Sequence, residues 1–262
     1  MVRRRIGTAF MGGAYVFPGG RVDEHDRDVD ERWRIGSRDA ASHLADVDPA
    51  QAIGFYVAAA RELFEEAGVL LARDRRGELV SLAPADARHR FNRYRAAVDA
   101  GSQSLRAILE REDLQLAFDT LVPFAHWVTP SIDTRRFDTR FFITRMPQDQ
   151  SPVHDDTETI ESAWLLPADA IARCRRGEIV LPPPTWTTLR ELEPFSSVDA
   201  ALAWARRRRI QRREPKFVEK DGARMLLLPG DPLNPELSAE PPPAETRFIL
   251  ADGRWRAEAA RA

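Results

Sequence analysis

One cysteine, Cys174, occurs in the 262 residues. A single thiol excludes an internal disulfide framework and a zinc cluster built on thiolates, and it suits a reducing compartment. Charge of one sign is also missing. The 39 Lys and Arg nearly balance 41 Asp and Glu, leaving a formal net charge of −2, so no global basic field argues for nucleic acid as a partner. No run approaches the roughly 18 apolar residues of a membrane span. The opening residues, MVRRRIGTAF, lack the apolar stretch of a signal peptide. The expectation is a cytoplasmic globular protein without internal repeats, with neither nucleic acid nor a membrane as its partner.

Three glutamates crowd one turn in RELFEEAG, residues 61–68. At about 100° per residue Glu62 and Glu66 lie about 40° apart around the helix axis, and Glu65 about 60° from Glu62. Like charges at such spacings destabilise a helix by about 0.2–0.5 kcal/mol per pair, and a divalent cation is one way to offset that. A solvated acidic face with Arg61 paired to Glu65 is the plainer explanation. The helix that carries them is well marked. Asp48 is placed to cap it, Pro49 occupies its first turn and Gly68 follows its end. Ala52, Phe55, Ala59 and Leu63 recur at helical spacing and are expected to face the core.

Upstream, Ala14–Phe17 reads as a short strand entering the FPGG turn. Residues 21–48 are charged, with few large apolar side chains, and read as a surface insertion. Residues 84–117 read as two amphipathic helices broken near Gly101. Strands are expected at 121–129, 136–145 and 159–166, with helices from Pro167, over 185–193 and over 198–210. Beyond about 214 the chain alternates short strands, at RMLLL and TRFIL, with turns at Pro229-Gly230 and Asp252-Gly253 and the linker PELSAEPPPAE. The mixture predicts an α/β or α+β class.

The strand, glycine turn and acidic helix together resemble the Nudix hydrolases, whose box reads G-x5-E-x7-RE-U-x-EE-x-G-U with U aliphatic. Arg61, Glu62, Leu63, Glu65, Glu66, Gly68 and Val69 match its second half without gaps. Gly20 and Arg61 are 41 positions apart where the ordinary box has 14, an insertion of 27 residues. The isolated glutamate of the box therefore has three candidates, Asp23, Glu24 and Asp26, the last at Gly20 + 6. The expanded box, with FMGGAYVFPGGRVD, RFDTRFF and GEIVLPPPTWTTL, is similar to the interrupted-box subgroup related to the mammalian peroxisomal coenzyme A diphosphatase. The pattern that precedes the box in coenzyme A diphosphatases is matched at Arg4, Gly13 and the FPGG beginning at Phe17. Ala9 stands where a second arginine belongs, and Arg5 where serine or alanine does.

The resemblance implies a Nudix fold, an α/β/α sandwich with a mixed sheet. It implies a Nudix domain over residues 1–210, with insertions at about 21–48 and 84–117, and a C-terminal extension over 211–262. Val2-Arg3-Arg4 would end one of its strands. The implied activity is pyrophosphate hydrolysis of a nucleoside diphosphate linked to another group, with coenzyme A or acyl-CoA first and ADP-ribose or NADH as alternatives. Mg²⁺ or Mn²⁺ would be held by Glu62, Glu65 and Glu66 with the turn at Gly20, and Arg61 would orient the glutamates. Among the loop acids Asp155, Asp156, Glu158 and Glu161, Glu158 is taken as the further ligand. No residue is singled out as the general base. A Nudix-like sensor that binds without turnover is the alternative of another class.

Arg135, Arg136 and Arg140 flank a strand where a substrate phosphate could be read by the planar guanidinium fork. His126 reads as structural or pocket-lining, and Cys174 as a buried small residue. ARRRRIQRR, residues 205–213, reads as the solvated end of a helix. Phe124, Trp127, Trp164 and Trp186 read as core, one of them available to stack on an adenine. The Pro-rich tail is a candidate for covering an edge strand or joining a homodimer.

Overall fold

The computed structural model describes residues 1–7, 11–131, 136–155, 158–234 and 245–259. Its helices are α1 (Ser37–His43), α2 (Pro49–Ala67), α3 (Ala85–Asp99), α4 (Leu105–Glu112), α5 (Pro167–Arg175), α6 (Pro183–Leu192) and α7 (Val198–Ala205). The first eight strands are β1 (Val2–Arg4), β2 (Tyr15–Val16), β3 (Arg34–Ile35), β4 (Ala72–Arg73), β5 (Gln115–Ala117), β6 (Val122–Val128), β7 (Asp138–Ile143) and β8 (Thr159–Ser162). They are followed by β9 (Arg212–Arg213), β10 (Lys216–Lys220), β11 (Ala223–Leu227), β12 (Arg247–Ala251) and β13 (Arg254–Glu258). Helices and strands are mixed along the chain, with parallel and antiparallel pairing, as the α/β or α+β class expected from the sequence requires. The chain divides into two compact units, one of Met1–Arg5, Phe17–Pro123 and Phe142–Ala163, the other of Ile6–Val16, Phe124–Phe141 and Trp164–Ala262.

The first unit is organised around α2. The Asp48 carboxylate accepts the Gln51 amide at 3.0 Å, Pro49 opens the first turn, and Gly68 closes the helix at φ +68°, a region that glycine enters without a Cβ penalty. Its fully buried stripe is Ala52, Tyr56, Ala60, Phe64 and Ala67, while Phe55, Ala59 and Leu63 are only half-buried. The stripe is thus turned from the expected one, because the helix is covered from more than one direction. A 3-10 turn over Glu24–Arg27 packs so close that a Cβ on Gly54 would lie 3.2 Å from both Val22 Cγ1 and Arg27 Cγ. That approach explains a glycine in mid-helix, where it costs about 1 kcal/mol relative to alanine.

Residues 21–48 are therefore more than a surface insertion. Of their apolar side chains, Val29, Ala40 and Leu44 are buried in one core with Tyr56 and Phe64 of α2 and Phe91, Ile108 and Leu109 of α3 and α4. The second insertion is helical only as far as Glu112. Asp113 turns left-handed at φ +54°, and Gln115–Ala117 then form β5, between β3 in parallel and β4 antiparallel. In the same unit β1 pairs antiparallel with β8 through Val2–Ser162, Arg3–Glu161 and Arg4–Thr159, with a bulge between Arg3 and Arg4.

In the second unit β7, β6 and β9 form a sheet with every residue of β6 buried. Strands β10 to β13 form an antiparallel four-stranded sheet. Its two hairpins turn at Asp221-Gly222 and Asp252-Gly253, all four residues at positive φ, as the favoured two-residue hairpin turn requires. The helix expected to reach residue 210 stops at Ala205. Arg208 and Arg213 instead turn to Glu191 of α6, Arg208 at 3.1 Å, with the Arg208 guanidinium 4.2 Å above the Trp204 ring. Part of the basic run is thus tied to a carboxylate rather than being a solvated helix end, because two cations offset the burial of Glu191 and hold its pKa below the usual range. Trp164 is 75 % exposed, against the core position expected, whereas Phe124, Trp127 and Trp186 are buried. Among the described residues no helix is long and apolar enough to cross a membrane.

Candidate active site

The last two turns of α2 bring Arg61, Glu62, Glu65 and Glu66 together beside the glycine turn. Arg61 is the hub, with its guanidinium largely buried. Its Nε and Nη2 hold the two Asp26 oxygens at 2.9 and 3.0 Å. Nη2 also donates to the Arg21 carbonyl at 2.7 Å, and Nη1 donates to Glu62 at 2.9 Å and Glu65 at 2.7 Å. All five donors of the fork are used. Burial opposes the charge, but the hydrogen bond and charge of Asp26, followed by the charges of Glu62 and Glu65, hold the Arg61 pKa above its ordinary value.

Asp26 resolves the choice left open among Asp23, Glu24 and Asp26. It is 2 % exposed, sits in the 3-10 turn, and accepts the Asp23 amide at 2.8 Å. Glu24 is exposed, and Asp23 stands 3.6 Å from Arg61 with a side chain 61 % exposed. Only Asp26 offers the paired oxygens that a planar fork requires.

Glu66 is buried and accepts the Gly19 amide at 3.2 Å. Burial pushes its carboxyl up to about 8 against that hydrogen bond, and the charges of Glu62 and Glu158 add to the rise. Burial likewise raises Glu65, to about 7, against the pull of Arg61. Glu62 is raised in the same way, with Glu158 and Asp26 contributing. One guanidinium therefore serves a group of carboxylates that burial and mutual repulsion leave under-compensated. Such a donor set of carboxylate oxygens fits a hard divalent cation. Among the described residues no group of three or more His, Cys, Asp or Glu is gathered for an ion as the side chains stand, since Glu62 and Glu65 face Arg61 and Glu66 faces the Gly19 amide.

Gly20 is required by closeness. A Cβ there would lie 2.3 Å from Glu62 Oε1 and 2.6 Å from its Cδ. Gly20→Ala is expected to turn Glu62 away and to cut hydrolysis by about 10²-fold while the melting temperature moves by only a few degrees. Rate assays with a thermal melt check this, and an unchanged rate would mean that Glu62 is not needed where it lies.

Of the loop acids, Asp155 accepts from the Thr159 amide at 2.9 Å and hydroxyl at 3.2 Å, and Glu161 pairs with Arg3 at 3.5 Å. Glu158, exposed at the head of β8, makes its charge felt on Glu62 and Glu66. Asp156, Arg135 and Ala9 lie outside the described residues. Arg4 is adjacent in charge to Glu66, whose carboxyl it stabilises in the ionised form. Phe17 is half-buried, at the head of the segment carrying Gly19 and Gly20.

The other substrate candidates belong to the second unit. Gly13 has φ +78°. Arg136 pairs with Glu214 at 2.7 Å. Arg140, its side chain 5 % exposed, pairs with Asp138 at 3.2 Å. His126 shares that carboxylate, its Nε2 lying 2.8 Å from Asp138 Oδ1. Burial raises the thiol pKa of half-buried Cys174.

A family model described as the NUDT19 Nudix domain matches residues 37–192. The chain belongs to that family. This Nudix hydrolase is 29 % identical to the human acyl-coenzyme A diphosphatase NUDT19 over 89 % of its own length and 71 % of the relative's. Its identity to the protein of that name from Gallus gallus is 28 %, covering 90 % of this chain and 72 % of the other. Its fold is similar to the crystal structure of a Nudix hydrolase from Alicyclobacillus acidocaldarius, with a TM-score of 0.61 at 26 % identity, covering 77 % of this chain and 86 % of that one. The matched segment begins after Asp26, so the pairing of Asp26 with Arg61 is a finding of the structure. Arg95 of α3, which donates to the Glu65 carbonyl at 2.8 Å, was not legible beforehand: it is one of several arginines on an amphipathic helix with no motif around it.

Proposed function

We propose that this Nudix hydrolase cleaves coenzyme A or acyl-CoA at its pyrophosphate, giving (acyl-)phosphopantetheine and 3′,5′-ADP in a reaction dependent on Mg²⁺ or Mn²⁺. The observation that carries the reading is the group of Glu62, Glu65 and Glu66 at one helix end, the first two sharing Arg61 and the buried third held by the Gly19 amide. The curated relatives named acyl-coenzyme A diphosphatase support the substrate.

A bound divalent cation supplies positive charge against the bridging phosphates and makes water more acidic, effects worth several kcal/mol. Glu62, Glu65 and Glu66 would hold it, with Gly20 and Glu158. The carboxyls of Glu65 and Glu66, raised by burial to about 7 and about 8, would surrender protons on taking the ion. Arg61, anchored on Asp26, keeps Glu62 and Glu65 in register, and the Gly19 amide keeps Glu66. Arg4 stands beside Glu66 as a cation for a substrate phosphate, and Phe17 heads the segment that carries Gly19 and Gly20. Arg136 and Arg140 would read a phosphate only by leaving Glu214 and Asp138. Ala9, where the coenzyme A diphosphatase pattern has an arginine, favours a second reading, the same chemistry on ADP-ribose or NADH.

Hydrolysis of a panel containing coenzyme A, several acyl-CoAs, ADP-ribose, NADH and nucleoside triphosphates, with each metal, tests the proposal. Preferential release of 3′,5′-ADP from the CoA compounds is the expected result. Cleavage of ADP-ribose or NADH with intact CoA would replace the substrate. Metal binding with no turnover of any compound would instead point to a sensor.

A further inference from the structure

The two insertions fold as one body. β3 of the first pairs in parallel with β5 of the second, the Gln115 side-chain amide donates to the Arg32 carbonyl at 2.6 Å, and Arg106 donates to the Asp28 carbonyl at 3.4 Å. Their buried side chains share a single core with the back of α2. From this body groups on both insertions reach the acidic helix, the first also through the Arg21 carbonyl on Arg61. Asp26 grips Arg61, and Arg95 of α3 donates its Nε–H to the Glu65 carbonyl at 2.8 Å.

The last four carbonyls of a helix have no partner within it. In α2 these begin at Phe64, whose carbonyl is taken by the Gly68 amide at 2.9 Å, while the Val69 amide reaches back to the Leu63 carbonyl before it at 3.4 Å. The Ala67 carbonyl receives the Val153 amide at 3.0 Å. The Glu65 carbonyl is left to Arg95. Water could serve an exposed carbonyl, but a guanidinium adds a cation at the negative end of the helix dipole and ties the turn to a second element. Gly68 makes room for it. A Cβ on that residue would come 3.1 Å from Arg95 Nη1, so the glycine both turns the chain and admits the arginine.

We propose that Arg95 is a positioning residue, through which the helical insertion fixes the final turn of α2 and with it the carboxylates of Glu65 and Glu66. The proposal rests on the reading of those carboxylates as the metal-holding centre. Loosening the turn leaves both acids in place chemically but spreads their positions, and an ion that needs several oxygens at once responds more steeply than overall stability does. Partners that orient metal ligands in this way change affinity by about 10–100-fold when removed.

The test is Mn²⁺ binding to the full chain, followed by thermal shift and by water-proton relaxation, with Arg95→Ala, Arg95→Lys and Arg90→Ala. Arg90 lies on the same helix and serves Glu112 within the insertion, at 2.9 Å. Arg95→Ala is expected to weaken Mn²⁺ about tenfold. Arg95→Lys is expected to recover part of that loss, because an ammonium can donate to the same carbonyl. Arg90→Ala is expected to lower the melting temperature and leave Mn²⁺ affinity alone. Equal losses in the two alanine variants, or wild-type affinity in Arg95→Ala, would overturn the proposal by itself. A wild-type chain that binds no Mn²⁺ would overturn the functional reading and this proposal together.

Discussion

Asp26→Ala is expected to destabilise the chain by about 3–5 kcal/mol, the range for removing one partner of a buried ion pair. Arg61 has a side chain 10 % exposed and Asp26 one 3 % exposed, so the abandoned guanidinium has little water to turn to. Its Nε and one hydrogen of Nη2 lose their acceptors, and the Asp23 amide loses its own. For a chain of this size the melting temperature should fall by roughly 10 °C. The same guanidinium carries an internal control. Asp23 faces it at 3.6 Å but is mostly in solvent, where such pairs contribute about 0–1 kcal/mol, so Asp23→Ala should barely move the melt. Hydrolysis should collapse in Asp26→Ala and survive in Asp23→Ala, because Arg61 loses the anchor that aims Nη1 at Glu62 and Glu65. Thermal melts with parallel rate assays decide this. Similar melts for the two variants would show that the buried fork contributes no more than the exposed contact.

What the sequence disclosed is what local chemistry dictates. The ends of α2 follow from Asp48, Pro49 and Gly68, and the crowding of acids follows from spacing alone. Asp252-Gly253 marked one hairpin of the tail. Asp221-Gly222 is the same signal, but charged KFVEK before it lacks the apolar alternation of a strand, and β10 went unseen. Asp26 stood at the right count from Gly20, yet the 27 inserted residues removed the fixed register to Arg61 that would have chosen it over its neighbours. Burial made the choice, and burial is a tertiary property. The turned stripe on α2, the strand at Gln115–Ala117 and the use of Val29 and Leu44 in the core share one cause. The insertions close on each other, and neither segment carries enough apolar residues to announce that separately. Arg208 and Arg213 were legible only as charges, since the carboxylate they hold, Glu191, is some 20 residues away in the chain.

Glu66→Gln should abolish most activity and yet make the metal-free protein more stable at neutral and higher pH. On the catalytic side, an acid lost from the metal-holding group removes several kcal/mol of charge stabilisation, a fall on the order of 10²–10³-fold in rate. The stability effect has the opposite sign. The Glu66 carboxyl titrates near its ordinary 4.5 in the unfolded chain and at about 8 when folded, so the folded state holds a proton that the unfolded state releases. Its contribution is fully present below about pH 4.5 and drains away as the pH rises through 8. Glutamine keeps an oxygen for the Gly19 amide and has no proton to lose. The variant's advantage in melting temperature should therefore be near zero at pH 4.5 and grow up to pH 8. Mn²⁺ at pH 8 should reverse the order, stabilising the wild type in proportion to its occupancy and the variant little. Melts of both proteins across that range, with and without the ion, measure each part. A variant that is less stable at every pH, or that hydrolyses its substrate at the wild-type rate, would refute the reading of Glu66 as a strained carboxylate kept for the ion. This is the trade expected where a site retains groups that folding alone would discard: α2 carries its acids at a cost to the empty protein that the occupied one recovers.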